Sequence, residues 1–257
     1  MTLHGADVTS IDSGGDTADM LAIGPRRTRP PSPDRSHCTV PVPDPRAADR
    51  LRRRQPMFNL PRATQMLVGI NVLVHLVRVF LLPEHLDWEL IATAAVIPAR
   101  YSYGPGLDLP SLIAPLTFQF LHGGFLHLLL NMALLAAWGA GVERMVGPLR
   151  MVGFYLVTGM LGALAHVLIY PESMVPMLGA SAGISGLFAA VLIMMRRSRA
   201  GTGSIMPLAL LWIATAVITG IWGTPGTGEA VAWVAHIGGF LGGLALFPFL
   251  LSRPRHG

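Results

Sequence analysis

The sequence predicts an all-α membrane protein that folds as a bundle of six transmembrane helices, and three observations predict it. Of the 257 residues, 52% are hydrophobic and only 13% are charged, whereas soluble domains carry roughly 25% charged residues. Beyond Met57, six apolar stretches reach or approach the roughly 20 residues that a membrane helix needs. Arginine is concentrated in the N-terminal part and in alternate connections between these stretches.

The first 56 residues form a polar extension that precedes a membrane domain of residues 57–257. Segments such as GPRRTRPPSPDRSH and PVPDPRAADRLRRR are dominated by Pro, Arg, Asp and Ser, with no apolar period. Such a segment buries too little surface to offset its ordering entropy, so we expect residues 1–56 to be disordered. The single cysteine, Cys38, lies there and cannot form an internal disulfide.

Six stretches are predicted to cross the bilayer, and the charges between them set the orientation. The stretches are residues 64–82, 118–140, 149–170, 177–195, 205–223 and 230–251. Arginines precede the first stretch, separate the second from the third and the fourth from the fifth, and follow the sixth. The positive-inside bias therefore places both termini in the cytoplasm and the long loop 83–116 outside.

All 19 basic residues are arginine, and the net charge is +5. Their placement at the ends of apolar segments suits anionic lipid headgroups and topology control, so no nucleic-acid partner is expected. The absence of lysine is typical of a GC-rich coding bias. It predicts a bacterial protein, and with it the bacterial cell (inner) membrane.

The motif GASAGISG, residues 179–186, opens the fourth stretch. A serine near a helix start meets the positive end of the helix dipole and unpaired backbone N–H groups, which can hold a developing oxyanion. The alternative is that these small residues only allow close helix packing. Ser181 and Ser185 both fit a Gly-x-Ser pattern, but Ser181 lies nearer the helix start and is the candidate nucleophile.

The motif AHIGGFLGG, residues 235–243, lies in the sixth stretch. His236, Gly239 and Gly243 fall at i, i+3 and i+7, which is one helical face. A Gly-x-x-x-Gly pair lets another backbone approach closely, so we expect His236 to be brought against the partner helix. The alternative is a structural histidine bonded to a carbonyl.

A third polar group, in HGGFLHLLLN, opens the second stretch. His127 and Asn131 stand at i and i+4, share a face, and can both donate hydrogen bonds into the bundle. His122, five residues before His127, is expected to fix the entering loop.

Several other protease classes are excluded by what the sequence lacks. It has no H-E-x-x-H, so an intramembrane zinc protease has no support, and neither a metal nor a cofactor is expected. No aspartate follows Asp108, which excludes an aspartyl protease and a Ser-His-Asp triad in the bundle. Glu229 lies about 10 Å along a helix from His236, too far to orient it. A serine and a histidine here would act as a dyad.

These motifs, in this order, resemble the rhomboid family over roughly residues 58–250. The resemblance rests on His127-x-x-x-Asn131, Gly179-Ala180-Ser181 and Ala235-His236-x-x-Gly239-x-x-x-Gly243. TFQFLH at residues 117–122 and GAGVERMVG at residues 139–147 are also similar.

The resemblance implies an intramembrane serine endopeptidase whose water-filled cavity opens to the outside. It implies that Ser181 is the nucleophile and His236 the general base, and that His127 and Asn131 stabilise the oxyanion with the Ser181 N–H. The substrates would be transmembrane segments of other proteins within the lipid bilayer.

The sequence departs from the family pattern at two places. Ala182 stands where the family usually has glycine after the nucleophile, which would tighten the oxyanion site. Ile113-Ala114 stand where the family usually has Trp-Arg, which would weaken the anchoring of the external loop to headgroups.

Two other functions remain open from the sequence. One is a non-catalytic rhomboid-like protein that binds membrane clients, although such relatives typically lack the serine or the histidine. The other is a transporter or channel, because Asn71, His75 and Arg78 share a face of the first stretch and would line a path. Otherwise Arg78 is expected to extend to the outer surface.

Overall fold

The computed structural model describes residues 60–103, 108–198, 204–222 and 232–252. The predicted extension of residues 1–56, the boundary at Met57 and the position of Glu229 lie outside these ranges. Within them the chain is helical and has no β-strand, and extended pairing is limited to one bridge between Val96 and Met177. The predicted all-α class is confirmed.

The described helices follow one another along the chain with short connections. They are α1 (Arg62–Phe80), α2 (Glu84–Ala94), α3 (Pro98–Tyr103), α4 (Leu109–Thr117), α5 (Phe125–Leu134), α6 (Ala140–Val146), α7 (Pro148–Ile169), α8 (Ser181–Arg197), α9 (Met206–Trp222) and α10 (Trp233–Ser252). A 3₁₀ turn at Phe118–Phe120 follows α4, and a π-helical turn at Leu135–Gly139 joins α5 to α6 in one continuous helix.

Four of the described helices are long and apolar enough to cross a membrane: α1, Phe125–Val146, α7 and α10. The shorter helices α8 and α9, of 17 residues each, cover the remaining two predicted stretches. Large apolar side chains are exposed on the long helices, as lipid-facing residues are. Examples are Leu73 of α1, Leu129 of α5 and Leu168 of α7. The protein is therefore a membrane protein, and a count of six crossings stays a prediction.

The second predicted stretch, 118–140, was wrong at both ends, because the helix runs from Phe125 to Val146. Its start is delayed because Leu121 and Gly124 are extended, and Gly123-Gly124 disfavour a helix. Its end is later because the carboxylate of Glu143 is buried against the start of α1, so the charge does not end the helix.

The loop 83–116, which was predicted to be external, contains the short helices α2, α3 and α4. Two of their starts follow local rules. Pro83 precedes α2, and the side chain of Asp108 caps α4 by accepting a hydrogen bond from the N–H of Ser111 at 2.9 Å.

Helices α7, α8 and α10 form the tightest packing in the described chain. A β-carbon on Gly239 would lie 2.1 Å from the carbonyl oxygen of Ala182, and one on Gly243 would lie 2.6 Å from that of Gly186. The backbones of α8 and α10 therefore touch where the Gly-x-x-x-Gly face predicted a close partner. This contact holds the start of α8 against the start of α10.

Candidate active site

Ser181 is the first residue of α8, and the residues before it give the helix an open start. Gly179 has a φ of +127°, which L side chains rarely adopt, and its N–H donates to the carbonyl of Phe118 at 3.0 Å. The N–H of Ile184 donates to Ala180 at 3.0 Å, the bond that opens the helical ladder. The N–H groups of Ser181, Ala182 and Gly183 precede that bond and point toward the helix start. The sequence predicted that this stretch starts at residue 177. The helix begins at Ser181 instead, because Met177 pairs with Val96.

Ser181 and Ser185 have different surroundings. Ser181 is partly buried, whereas Ser185 is fully buried and its hydroxyl donates to the carbonyl of Ser181 at 2.8 Å. The Ser185 hydroxyl thus pairs with the backbone of its own helix.

His127 lies beside this helix start on the first turns of α5. A β-carbon on Gly179 would lie 3.0 Å from Nε2 of His127 and 3.7 Å from Oγ of Ser181. The imidazole and the hydroxyl therefore both border the space that a β-carbon on Gly179 would occupy. The predicted site residues His127 and Ser181 are brought together here.

Asn131 is buried one turn after His127, and its side chain is directed to its own helix. Its Nδ2 donates to the carbonyl of His127 at 2.9 Å. Both side chains can donate into the bundle, and this N–H of Asn131 is used within its own helix instead. Since an amide has two N–H donors, Asn131 keeps a second one.

His236 lies on the first turn of α10 and is largely buried. Two neighbouring contacts place it beside the start of α8. Ala182 and Ala235, which adjoin Ser181 and His236 in sequence, belong to one buried cluster. A β-carbon on Gly162 of α7 would lie 2.7 Å from Cβ of Ala182 and 2.5 Å from the oxygen of Ala235. Nε2 of His236 has no hydrogen-bond partner among the described residues, so its bond to Ser181 is not formed in this structure.

Two carboxylates of the described chain are engaged by other groups. Asp87 pairs with Arg78 at 2.7 Å, and Glu143 accepts hydrogen bonds from the backbone N–H and the hydroxyl of Thr64, each at 2.7 Å. Both carboxylates are therefore committed to other groups and are not available as partners for Ser181 or His236.

Arg78 is a buried residue that sequence reasoning placed wrongly. We expected it to extend to the outer surface, but it is only 6% exposed and pairs with Asp87 of α2. Its Nη1 donates to the carbonyl of His122 at 2.9 Å. Arg78 thus fixes the loop before α5. The prediction for Arg78 was wrong because its partner, Asp87, lies in helix α2, which the sequence did not predict.

His122 lies in the loop that enters α5, as expected, and is 1% exposed. Burial, and to a lesser degree the neighbouring His127, lower the pKa of the His122 imidazole to about 3. The imidazole is therefore neutral at physiological pH.

A sequence model of the Rhomboid domain family matches residues 111–253, which include the candidate serine and all three candidate partners. This is more than half of the chain.

The chain belongs to the rhomboid family.

Curated relatives agree with this membership. The chain is 34% identical to RHOMBOID-like protein 7 of Arabidopsis thaliana over 142 residues, which is 54% of this chain and 43% of the relative. It is 35% identical to Rhomboid protease GluP of Bacillus subtilis over 131 residues, 50% of this chain and 24% of the relative. It is also 30% identical to Inactive RHOMBOID-like protein 8 of Arabidopsis thaliana over 141 residues, 54% of this chain and 38% of the relative.

These alignments span less than half the length of the curated relatives. Most of the relatives are plant proteins, so they give no support to the expected bacterial inner membrane. They include proteins named as protease and as inactive, so family membership alone does not establish activity.

The two departures from the rhomboid pattern lie in one region of the structure. Ala182 and Ala114 are each 1% exposed and belong to the same buried cluster as Ala235. Ile113 is 42% exposed. Both positions were expected to weaken the contact of the loop with headgroups. Only Ile113 is exposed, whereas Ala114 is buried in the cluster that contains Ala182 and Ala235.

Proposed function

We propose that this rhomboid is an intramembrane serine endopeptidase that cleaves transmembrane proteins through a dyad of Ser181 and His236. One observation carries the proposal: the Ser181 hydroxyl lies at the open start of α8, beside His127 across Gly179. Gly239 of α10 packs on Ala182, and His236 lies one helical turn before Gly239. His236 is therefore about one helical turn from the start of α8.

In the proposed first step, His236 takes the hydroxyl proton of Ser181 as Oγ attacks the scissile carbonyl carbon. The tetrahedral intermediate collapses, the C–N bond breaks, and His236 returns the proton to the leaving amine. Water then attacks the ester carbon with His236 as base, the bond to Oγ breaks, and Ser181 regains its proton. Hydrogen bonds of this kind are often long in the free enzyme and tighten when substrate binds, which accommodates the unformed dyad bond.

The oxyanion of both intermediates would be stabilised by His127, the second N–H of Asn131 and the backbone N–H of Ser181. Donors that are already held in place before the reaction stabilise charge as it develops. The place of the His127 ring beside the space where a Gly179 β-carbon would lie supports this role.

The proposed partners are transmembrane segments of other proteins, reached within the lipid bilayer. The arginine distribution supports both termini in the cytoplasm, with the site open to the outside. The extension of residues 1–56 is proposed to lie outside the proteolytic domain.

A client-binding rhomboid without activity is the second candidate. It is favoured by the relative named inactive and by the absence of a partner for Nε2 of His236 among the described residues. The presence of both Ser181 and His236 favours the protease.

The deciding experiment incubates purified protein in lipid nanodiscs with a generic transmembrane substrate and with a serine-directed phosphonate probe. We expect Ser181→Ala to abolish both cleavage and labelling, because it removes the proposed nucleophile. The matched control, Ser185→Ala, removes only a hydroxyl that bonds its own helix and should keep most activity. Labelling lost in Ser185→Ala but kept in Ser181→Ala would reverse the assignment. No cleavage by the wild type would favour the client-binding function.

A further inference from the structure

A row of three imidazoles leads from the first helix to the candidate site. The ring centroids of His75 and His122 are 6.5 Å apart with an interplanar angle of 88°, and those of His122 and His127 are 5.2 Å apart. The His127 ring and the Ser181 hydroxyl then both border the space that a β-carbon on Gly179 would occupy. The row therefore leads from α1 to the proposed oxyanion donor His127 through His75 and His122, two side chains that the proposed mechanism does not use.

The part of this row farthest from Ser181 is rich in polar atoms that lack protein partners. Among the described residues, the ring nitrogens of His75 and His122 and Oδ1 of Asn71 make no hydrogen bond of good geometry, although the backbone of His122 lies near the His75 ring and that of Phe120 near the His122 ring. All three residues are at most 2% exposed. Five buried polar atoms in adjacent residues are unusual, because such groups are nearly always paired with protein or with internal water.

The chemistry of the surroundings favours an uncharged ligand. The described residues contain no group of three or more His, Cys, Asp or Glu placed to hold a metal ion. The guanidinium of Arg78 bonds the His122 carbonyl, and the nearby carboxylate of Asp87 is paired with that same guanidinium. A cation would be repelled here, whereas water both donates and accepts.

The spacing also suits water. The rings of His75 and His122, with centroids 6.5 Å apart, are too distant for a direct hydrogen bond between their ring nitrogens. One water with two hydrogen bonds of about 2.8 Å bridges nitrogens up to about 5.6 Å apart.

We propose that Asn71, His75 and His122 bind a buried water cluster, and that this hydrated row positions the His127 ring beside Ser181. His75 and His122 are then positioning residues that act through His127. The positioning step rests on the proposed function, while the water site itself does not.

The water site is tested without any substrate. Water-edited solid-state NMR of the protein in lipid bilayers, with ¹⁵N-labelled histidine and backbone, should show fast transfer from water to the rings of His75 and His122. The buried amide of Leu187 in the apolar core serves as the dry reference. His75→Leu should slow the transfer to His122. Transfer to both rings as slow as to Leu187 would overturn the water cluster.

The positioning role is tested by two substitutions at one residue and a matched control. His75→Leu should change the ¹⁵N shifts of the His127 ring and lower kcat about tenfold or more at unchanged KM. His75→Gln keeps a donor and an acceptor and should restore most of both. His166→Leu, which removes a partly buried histidine of α7, should change neither.

Unchanged His127 shifts in His75→Leu, or equal losses in His75→Leu and His75→Gln, would overturn the positioning role. Thermal unfolding of each variant shows which of them fold. If His75→Leu does not fold, the ¹⁵N shifts of the His127 ring in His75→Gln still test the positioning role. The water transfer in the wild type still tests the water site. If the wild type cleaves nothing, the proposed function fails, but the NMR measurements retain their meaning.

Discussion

Gly179 combines two constraints at one residue of the candidate site. Its φ of +127° is rarely adopted by L side chains, and a β-carbon there would lie only 3.0 Å from the His127 ring, which would have to shift. The same backbone turn that opens α8 thus also leaves the space that the His127 imidazole and the Ser181 hydroxyl border. Local conformation and site geometry are here properties of the same residue.

His127 and Asn131 are expected to act in the transition state of the proposed reaction. We predict that His127→Ala and Asn131→Ala lower kcat by about 10²–10³ with little change in substrate binding, which is the typical loss for one oxyanion donor. Single-turnover kinetics with a transmembrane substrate measures both quantities.

The matched control is His85→Ala, because His85 is exposed on α2 and should leave kcat unchanged. If the two variants bind substrate more weakly while bound substrate turns over at the normal rate, these residues are packing elements.

At the scale of elements, the α8–α10 contact depends on glycines that face main chain. We predict that Gly239→Ala destabilises the protein by about 1–3 kcal/mol, because a β-carbon would lie 2.1 Å from the Ala182 oxygen. Gly153→Ala on α7 is the control, because its β-carbon would meet nothing within 4 Å.

The control should be neutral or stabilising by up to about 1 kcal/mol, since alanine has the better helix propensity. Unfolding in detergent measures both variants. Equal stabilities of Gly239→Ala and Gly153→Ala would show that α10 does not depend on this contact.

Glu143 of α6 holds the start of α1. Its carboxylate accepts hydrogen bonds from the N–H groups of Ala63 and Thr64 at 3.0 and 2.7 Å, so it caps a helix whose own N-cap, Pro61, makes no side-chain bond. We predict that Glu143→Ala lowers the free energy of unfolding by about 2–3 kcal/mol, because bonds to a buried charged group are lost.

Glu143→Gln keeps one acceptor and should lose less. Glu89→Ala, at an exposed position of α2, should change stability by less than about 0.5 kcal/mol. A Glu143→Ala protein as stable as Glu89→Ala would contradict the capping role.

How far the sequence predicts these elements depends on whether a signal is local. The Gly239 and Gly243 face predicted its close backbone partner, because helical spacing alone puts both glycines on one side. The burial of Arg78 and Glu143 was not predictable, because each is satisfied by a partner distant in sequence or hidden in a short helix. Apolar residues such as Phe118 and Met177 extended the predicted spans, because composition does not distinguish a helix from the turn before it.

For the whole molecule, the arginine distribution predicts the orientation in the membrane. We predict that a reporter fused at residue 90 reads outside and one at the C-terminus reads inside, because an odd number of crossings separates them. Alkaline phosphatase and fluorescent protein fusions measure the two locations. Finding both reporters on the same side would refute the six-crossing topology.

The contact of Gly239 and Gly243 with backbone oxygens also limits how this protein can evolve. A clash between two side chains can be relieved by a compensating substitution, because one neighbour can become smaller. The carbonyls of Ala182 and Gly186 belong to every sequence at those positions, so no second mutation there creates room for a larger residue on α10. A lineage that keeps this helix spacing must therefore keep both glycines, whereas the residues facing lipid are free to drift.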